Sequence, residues 1–271
     1  FENDSLKSKV YTKTYFIDES IKDRYSFPVV SIVTDSFNLF DYETGIYIPG
    51  KRFDEEGFDW FAIGNYHNRG QEWERAMHIS YFEHNGDLAF ETDAGMRMRG
   101  LGSLSNPQKS FNAYFRKKYG RSNVEYPVFK HSEAEQYKRL IFRNGGQDFI
   151  YSHFKDAMLQ KLIEPLNLDL QAYQPSVVFI NGEYWGIHNI REKHDKHFFH
   201  ELTGIGKDSF DILNTCGVID EGDNTEFMAL QDYLLTNTLH SDANYDYVAS
   251  LVDVDNVIDY FIAQIYTANP S

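Results

Sequence analysis

The sequence predicts an α+β fold in which most strands come first along the chain and helices follow. Up to about residue 120, and again at 171–192, apolar and polar residues alternate between tight-turn signals, as in antiparallel strands. In the second half, apolar residues recur at helical spacing. The 271 residues are 42% hydrophobic and 16% aromatic, enough for one large domain or two small ones. This composition excludes intrinsic disorder as the main state.

The charge balance restricts the partners of the chain. Lys and Arg number 26 against 41 Asp and Glu, and the net charge of −15 argues against general nucleic-acid binding and against anionic membranes. A single cysteine, Cys216, excludes an internal disulfide framework and a CxxC metal site. No apolar run approaches the roughly 20 residues of a membrane helix. The sequence begins at Phe1, without a Met or a signal-peptide pattern, so we expect it to be a piece of a longer protein.

Alternating and β-branched runs predict the strands. Residues 74–91 contain two such runs around Asn85-Gly86-Asp87, which predicts a hairpin. A second hairpin is predicted at 171–192, where Asn181-Gly182 supplies the turn. The other predicted strands are 10–18 (VYTKTYFID, an edge strand or the end of a preceding module), 28–33 (PVVSIV), 95–100 (GMRMRG) and 109–120 (KSFNAYFRKKYG).

Apolar spacing and end signals predict three helices. The first covers 148–166, where Pro165 ends it. A short helix is predicted over 194–202, before a glycine. Asp255 is the predicted N-cap of a helix over 256–268. The apolar residues at helical spacing in the first helix are Phe154, Ala157, Met158 and Leu162.

A small-residue loop joins the GMRMRG and KSFNAYFRKKYG segments. It contains Gly100, Gly102 and Ser103, and Lys109 opens the segment that follows. Backbone N–H groups of such a loop approach phosphates closely, and protein kinases pair a glycine-rich hairpin with a strand lysine. The alternative is a plain turn whose glycines only supply positive φ. Asp156 either holds Lys109, as a helix acid does in kinases, or faces solvent.

Two arginines of the GMRMRG segment share one strand face. Arg97 and Arg99 alternate with Met96 and Met98, so both guanidinium groups project from the same side. In an acidic protein, such a pair either forms ion pairs with local carboxylates or binds an anion.

Other motifs have weaker links to chemistry. Tyr184 and Trp185 make an aromatic hairpin edge. This edge is either a binding surface for a flat ring, adenine or a sugar, or a cross-strand cluster in the core.

The acidic residues 220–224 are predicted as a surface turn, because they lack calcium-loop spacing. Cys216 has no glycine-elbow context, so nucleophilic catalysis has little support. Three histidines lie three residues apart without the glutamate of a zinc helix, and we predict a wet helix face; they are His194, His197 and His200.

Taken together, these segments resemble the CotH-type spore-coat kinases, in particular relatives from Bacteroides-like bacteria. The RxRG…QKSF block and the NGEYWGIHNIRE block are the specific motifs. The matching stretches cover most of the chain from residue 27 onward. They are 27–50, 96–120, 140–149, 171–199 and 253–271.

The resemblance implies an atypical protein-kinase-like fold that uses ATP and Mg²⁺ or Mn²⁺ to phosphorylate Ser or Thr of secreted or envelope proteins. It implies a CotH-like domain over 27–271, with a β-rich nucleotide lobe at 27–192 and the start of a helical lobe at 193–271. Residues 1–26 are then a preceding module or an edge strand. The implied nucleotide-binding residues are Arg97, Arg99, Gly100, Gly102, Ser103, Lys109, Asp156, Asn189 and Glu192. Within that set, the loop covers the phosphates, Lys109 contacts them, Asp156 orients Lys109, and 189–193 is the adenine hinge.

Two departures from the family pattern bear on activity. The chain stops before the Asn-rich catalytic loop and the Trp-Asp-x-Asp metal segment of the family, so we expect no metal ligands and no catalysis from these residues alone. Asn269-Pro270-Ser271 stands where family members often have Asn-Thr-Asp, which puts Ser271 in the place of an aspartate. The parent protein is therefore either an active kinase or a pseudokinase.

The competing function class is a non-catalytic envelope module that binds carbohydrate or has a structural role. Its supporting features are the many aromatic residues, with Trp185 as the candidate sugar shelf, and the Ser271 departure. A core module without a ligand is the third alternative. Secreted or cell-surface location and a secreted protein substrate follow from the resemblance, and a glycan partner from the competing class.

Overall fold

The computed structural model describes residues 2–3, 6–7, 11–130, 132, 134–214 and 217–269. The chain forms two compact units. The first comprises Phe1–Phe154 and Ala172–Glu192, and the second comprises Lys155–Gln171 and Lys193–Ser271. Cys216, Pro270 and Ser271, on which three of the sequence predictions depend, lie outside the described residues.

Strands dominate the first unit and helices the second, so the α+β prediction is confirmed. The strands are β1 (Glu2–Asn3), β2 (Leu6–Lys7), β3 (Val29–Val33), β4 (Arg75–Phe82), β5 (Leu88–Met98), β6 (Phe111–Tyr114), β7 (Val124–Glu125), β8 (Gln136–Tyr137), β9 (Arg139–Arg143), β10 (Tyr173–Ile180), β11 (Glu183–Glu192), β12 (Ile212–Asn214) and β13 (Val218–Glu221). The helices are α1 (Ile21–Arg24), α2 (Ser36–Phe40), α3 (Gly50–Glu56), α4 (Lys155–Leu162), α5 (Lys196–Thr203), α6 (Thr225–Thr236), α7 (Asp242–Leu251) and α8 (Val254–Tyr266).

Seven strands of the first unit close into a barrel in the order β10-β11-β9-β6-β5-β4-β3. Six of the seven neighbouring pairs are antiparallel, and β10 pairs parallel with β3. An odd number of strands cannot close with antiparallel pairs alone, so one parallel seam is required. Val177–Ile180 against Val29–Ile32 form that seam, and the predicted strand at 28–33 is thereby confirmed.

Both predicted hairpins are present. β4 and β5 turn through Asn85-Gly86-Asp87, where Gly86 has a φ of 86°. β10 and β11 turn through Asn181 and Gly182, whose φ values are 51° and 83°. Positive φ at both central residues matches the twist of the flanking strands, and asparagine and glycine tolerate this conformation best.

Two predicted strands have different bounds in the structure. Residues 95–98 are the end of β5 rather than a separate strand. The second arm of the β4–β5 hairpin is therefore one 11-residue strand. Of residues 109–120, only β6 is a strand, and Lys117–Tyr119 form a 3₁₀ turn. The alternating pattern continues past the point where pairing with β5 and β9 ends, and pairing is what defines a strand.

The alternating segment at 11–18 forms no strand. It lies along the first unit through side-chain contacts: Thr14 Oγ1 is 2.9 Å from Ser31 Oγ, and the Phe16 ring packs edge-on against Phe82 and Phe179. The alternation of apolar and polar residues here therefore reflects an extended segment that packs one face against the first unit but has no hydrogen-bonded partner strand.

The barrel interior is the main hydrophobic core. One inner row crosses four strands in register and consists of Met98, Phe111, Phe142 and Ile190. The Phe111 and Phe142 rings stack with centroids 4.7 Å apart. Because successive strand residues point to opposite faces, the residues between these core positions lie on the outer wall of the barrel.

The first predicted helix is shorter than expected. A helix over 148–166 is wrong, since α4 spans only Lys155–Leu162 and a 3₁₀ turn occupies Gly146–Asp148. His153 has a φ of 65°, which no right-handed helix accommodates, so the helix begins after it. Of the four apolar residues used for the prediction, only Ala157 is buried. The helix ends before Pro165, which disfavours helical geometry in the residue preceding it.

The two later helices agree more closely with prediction. α5 ends at Gly204, which has a φ of 73°. α8 begins two residues earlier than predicted, and Asp253 rather than Asp255 is its N-cap: the Asp253 carboxylate accepts a hydrogen bond of 3.0 Å from the Asn256 N–H. No helix among the described residues is both long enough and apolar enough to cross a membrane.

The cap contact of α8 gives a direct test. Asp253→Ala removes the acceptor of the Asn256 N–H, so we expect a loss of about 1 kcal/mol of unfolding free energy for the second unit. Asp255→Ala is the matched control with a smaller expected loss, since Asp255 only adds charge to the first turn. Urea unfolding of the full chain, followed by circular dichroism at 222 nm, measures both. Equal losses would contradict the assignment of the cap.

The buried His188 predicts acid sensitivity. Its Nε2 lies 3.1 Å from the Lys109 carbonyl oxygen and its Nδ1 lies 3.0 Å from Gln108 Nε2, which fits the neutral ring with a proton on Nε2. Burial lowers the pKa of His188 from 6.5 to about 4. Between these values the unfolded chain binds a proton that the folded chain excludes, so unfolding free energy falls as pH falls, by at most about 1.4 kcal/mol per pH unit.

Denaturant unfolding between pH 7.5 and pH 4.5 tests this prediction. We expect His188→Asn to be less stable at pH 7.5 and to show a shallower pH dependence than the unmodified chain. His84→Asn is the control, since the His84 side chain is 60% exposed, and it retains the original slope. Parallel curves for all three proteins would exclude His188 as the responsible group.

Candidate functional site

The small-residue loop after β5 contains a tight 3₁₀ turn over Gly102–Ser105. Gly100 has a φ of 130°, and a Cβ there would lie 2.7 Å from Ser103 Oγ, so this position requires glycine. Leu104 anchors the turn in the barrel core, whereas Leu101 and Gly102 are exposed. The loop therefore presents backbone to solvent on one side while one side chain fixes it on the other.

Asn144 joins this loop to the end of β9. Its side chain is completely buried and donates to the Gln108 carbonyl at 2.6 Å and to the Ser103 carbonyl at 3.4 Å. Its Oδ1 accepts from Ser110 Oγ at 2.8 Å and from the Gly146 N–H at 3.0 Å. Asn144 thus connects the backbone of the glycine loop to the backbone turn that follows β9. Sequence reasoning did not single it out, although LIFRNGGQDF belongs to the resemblance.

Arg97 and Arg99 lie on the outer wall, opposite the core residues Met96 and Met98. The Arg99 N–H donates to the Ser110 carbonyl at 2.9 Å, and the β6–β9 register, continued by one residue, places Ser110 beside Arg143 of β9. Asn189 of β11 pairs with Arg143 in the same row. The outer wall next to the loop is therefore a polar row with an arginine on each side of Ser110.

Arg97 forms internal contacts, as one of the two predicted alternatives requires. It donates to the Gly70 carbonyl at 3.1 Å, lies 3.6 Å from Glu74 Oε2, and has its guanidinium carbon 4.1 Å from the centre of the Tyr114 ring. The Glu74 side chain has no exposure and also contacts Arg116 at 3.2 Å and Lys118 at 2.9 Å. Three cations surround one carboxylate, so this cluster keeps excess positive charge.

Arg69 adds a fourth guanidinium beside the loop. It donates to the Gly100 carbonyl at 2.5 Å and to the Tyr66 carbonyl at 3.2 Å. Burial is the main reason that the pKa of Arg69 is lowered, and the nearby charges of Arg97 and Arg99 act in the same direction. Mutual repulsion of this kind favours an anion at the site. No sequence pattern marked Arg69, because its proximity arises from packing.

Lys109 lies on the inner face of the wall. It is 6% exposed, and its Nζ donates to the Leu104 carbonyl at 2.6 Å and to the Asn106 carbonyl at 2.9 Å. The ammonium also lies 4.2 Å from the centre of the Tyr66 ring. Burial lowers the pKa of Lys109 from 10.5 to about 8. Lys109 and the arginines are thus on opposite sides of the same sheet.

The remaining predicted site residues do not all meet at the loop. Asn189 is buried on the outer wall and donates to the His153 carbonyl at 2.6 Å. Glu192 pairs with the core residue Leu140 and accepts from Ser132 Oγ at 2.6 Å and from the Ala172 N–H at 3.1 Å, on the opposite face. Asp156 belongs to the second unit, where it accepts from Gln160 Nε2 at 3.0 Å.

Trp185 takes part in the core cluster. Its Nε1 donates to Tyr47 Oη at 2.7 Å, and its ring packs edge-on against Tyr47 with centroids 5.5 Å apart. This arrangement agrees with the core alternative for Trp185, with a loop residue rather than a neighbouring strand as its partner. Among the residues with described positions, no group of three or more His, Cys, Asp or Glu side chains is placed to hold a metal ion.

Comparison with known proteins agrees with the sequence resemblance. The family described as "CotH kinase protein" matches residues 96–270, more than half of the chain. The matched region begins at Met96 and includes the loop, Arg97, Arg99, Lys109, Arg143 and Asn144. No curated protein matches the chain. The extent of this match shows that the chain belongs to the CotH kinase family.

Proposed function

We propose that the chain binds ATP through the loop at 100–106 and the adjoining outer wall, as part of a phosphotransferase that modifies Ser or Thr of secreted or envelope proteins. The observation that carries the proposal is the pair Arg99 and Arg143, which flank Ser110 beside the glycine loop within the family match. In this proposal the barrel unit is the nucleotide lobe of a kinase-like fold, and the second unit is the start of its helical lobe.

The chemistry of the wall suits a triphosphate. Guanidinium groups bind phosphate oxygens through parallel N–H donors, and exposed backbone N–H groups of a glycine loop add further donors. Arg69 and Arg97 extend the positive region on the same side of the loop. Since the whole chain has a net charge of −15, this local concentration of arginines is a specific feature rather than a general property of its surface.

The same site supplies only part of what phosphoryl transfer needs. Positioning and charge neutralisation account for most of the catalysis of this reaction, and the arginines supply both for the phosphates. The described residues contain no group of three or more His, Cys, Asp or Glu side chains placed to hold a metal ion, so the proposal assigns no residue to the Mg²⁺ or Mn²⁺ that the resemblance implies. The proposal for these residues is therefore nucleotide recognition, which is the binding step of phosphoryl transfer.

Nucleotide binding measured by calorimetry tests the proposal. We expect Arg99→Ala and Arg143→Ala each to weaken ATP binding in the presence of Mg²⁺ by roughly tenfold or more, because each removes charge-assisted hydrogen bonds. Adenosine binding should change little, since it has no phosphate. Arg121→Ala is the matched control on an exposed turn and should retain the original affinity. Absence of ATP binding, or equal affinity in all variants, would refute the proposed site.

A further inference from the structure

We propose that Lys109 is a positioning residue that holds the glycine loop in its folded shape from inside the barrel, rather than a ligand of the nucleotide phosphates. This inference rests on the proposed nucleotide site for its functional consequence. Its structural part, the clamp itself, concerns the free protein and can be tested separately.

The first argument is the set of contacts at the ammonium group. Nζ donates to two carbonyls of the loop, Leu104 at 2.6 Å and Asn106 at 2.9 Å. Two aromatic faces cover it, with the ring centres of Tyr66 at 4.2 Å and Tyr47 at 5.4 Å. Both carbonyls belong to the short turn that Leu104 anchors, so one cation binds two points of this turn from the inner side of the barrel. A charged donor strengthens such hydrogen bonds relative to neutral ones.

The second argument is the side of the sheet. Lys109 shares the inner face with Phe111, two residues later, whereas Arg99 lies on the outer wall. A phosphate held by Arg99 and Arg143 is therefore on the other side of the wall from the Lys109 ammonium. Contact with that phosphate would require Lys109 to break both carbonyl contacts and leave its aromatic surroundings.

The third argument is that the backbone of Lys109 is fixed at both ends. Its N–H donates to Tyr47 Oη at 2.9 Å, and its carbonyl accepts from His188 Nε2 at 3.1 Å. Tyr47 Oη also accepts from Trp185 Nε1. The lysine thus projects from a backbone position that is held at both ends, which is what a clamp on the loop requires.

Burial of this ammonium is costly, since its described partners are carbonyls and rings rather than a carboxylate. The lowered pKa, about 8, reflects the same burial. A loop that depends on two hydrogen bonds to one buried cation should open when that cation is removed. We therefore expect Lys109 to act on nucleotide affinity through the loop.

Hydrogen exchange of the nucleotide-free protein tests the clamp. We expect Lys109→Met, which keeps the apolar stem but removes the donors, to speed exchange of the amides at 100–106 by about tenfold or more. Lys109→Arg should retain part of the protection, because it still donates to carbonyls. Lys117→Met is the control in the exposed 3₁₀ turn that follows β6, and the glycine loop of this variant should exchange as in the original chain. Unchanged loop exchange in Lys109→Met would overturn the proposal.

A second pair of variants keeps the test valid if Lys109→Met fails to fold. Tyr66→Leu removes the aromatic face below the ammonium without touching Lys109, whereas Tyr66→Phe retains that face. We expect faster loop exchange in Tyr66→Leu than in Tyr66→Phe. Equal exchange in both would contradict the clamp.

ATP affinity then separates a clamp from a phosphate ligand. For a clamp, Lys109→Met and Tyr66→Leu both weaken ATP binding, and the double variant is no weaker than the worse single variant, since both open the same loop. For a direct ligand, Tyr66→Leu has little effect, and the two changes add. If the original chain binds no ATP, the proposed function fails, whereas the exchange experiments still decide whether Lys109 holds the loop.

Discussion

The parallel seam between β3 and β10 is the constraint on which the first unit depends. It joins residues that are about 150 positions apart in the chain and closes seven strands into one barrel. In a closed barrel every strand has one face toward the core and one face toward the outer wall. Side chains at successive positions of a strand therefore alternate between the core and the outer wall. The positions of Lys109 and Arg99 on opposite sides follow from this partition alone.

The site combines a fixed inner support with a positively charged outer surface. Leu104 and Lys109 hold the glycine loop from the inside, and Asn144 ties it to the end of β9. On the outside, Arg99 and Arg143 lie in one polar row beside it. A loop supported in this way keeps its backbone N–H groups in place before a ligand arrives, which reduces the ordering needed on binding.

The cations around Glu74 and the arginines nearer the glycine loop have different roles in this strongly acidic chain. Around Glu74, cations neutralise a buried carboxylate, because an unpaired charge at that depth is unfavourable. Nearer the loop, Arg69 repels Arg97 and Arg99 while donating to the Gly100 carbonyl. The first arrangement stabilises the fold, and the second concentrates positive charge beside the glycine loop, where we propose that the nucleotide binds. Local geometry rather than net charge therefore determines where positive charge is concentrated in this chain.

The sequence by itself determined the class of fold, both hairpin turns, the shared face of Arg97 and Arg99, and the family. These depend on local rules: turn residues with positive φ, two-residue alternation, and motifs contiguous in the chain. Only the tertiary structure decided where strands stop, as at 95–98 and 109–120, because pairing partners are distant in sequence. It also decided that Asn144 and Arg69 join the loop and that Lys109 faces inward, since these contacts arise from barrel closure and packing rather than from spacing along the chain.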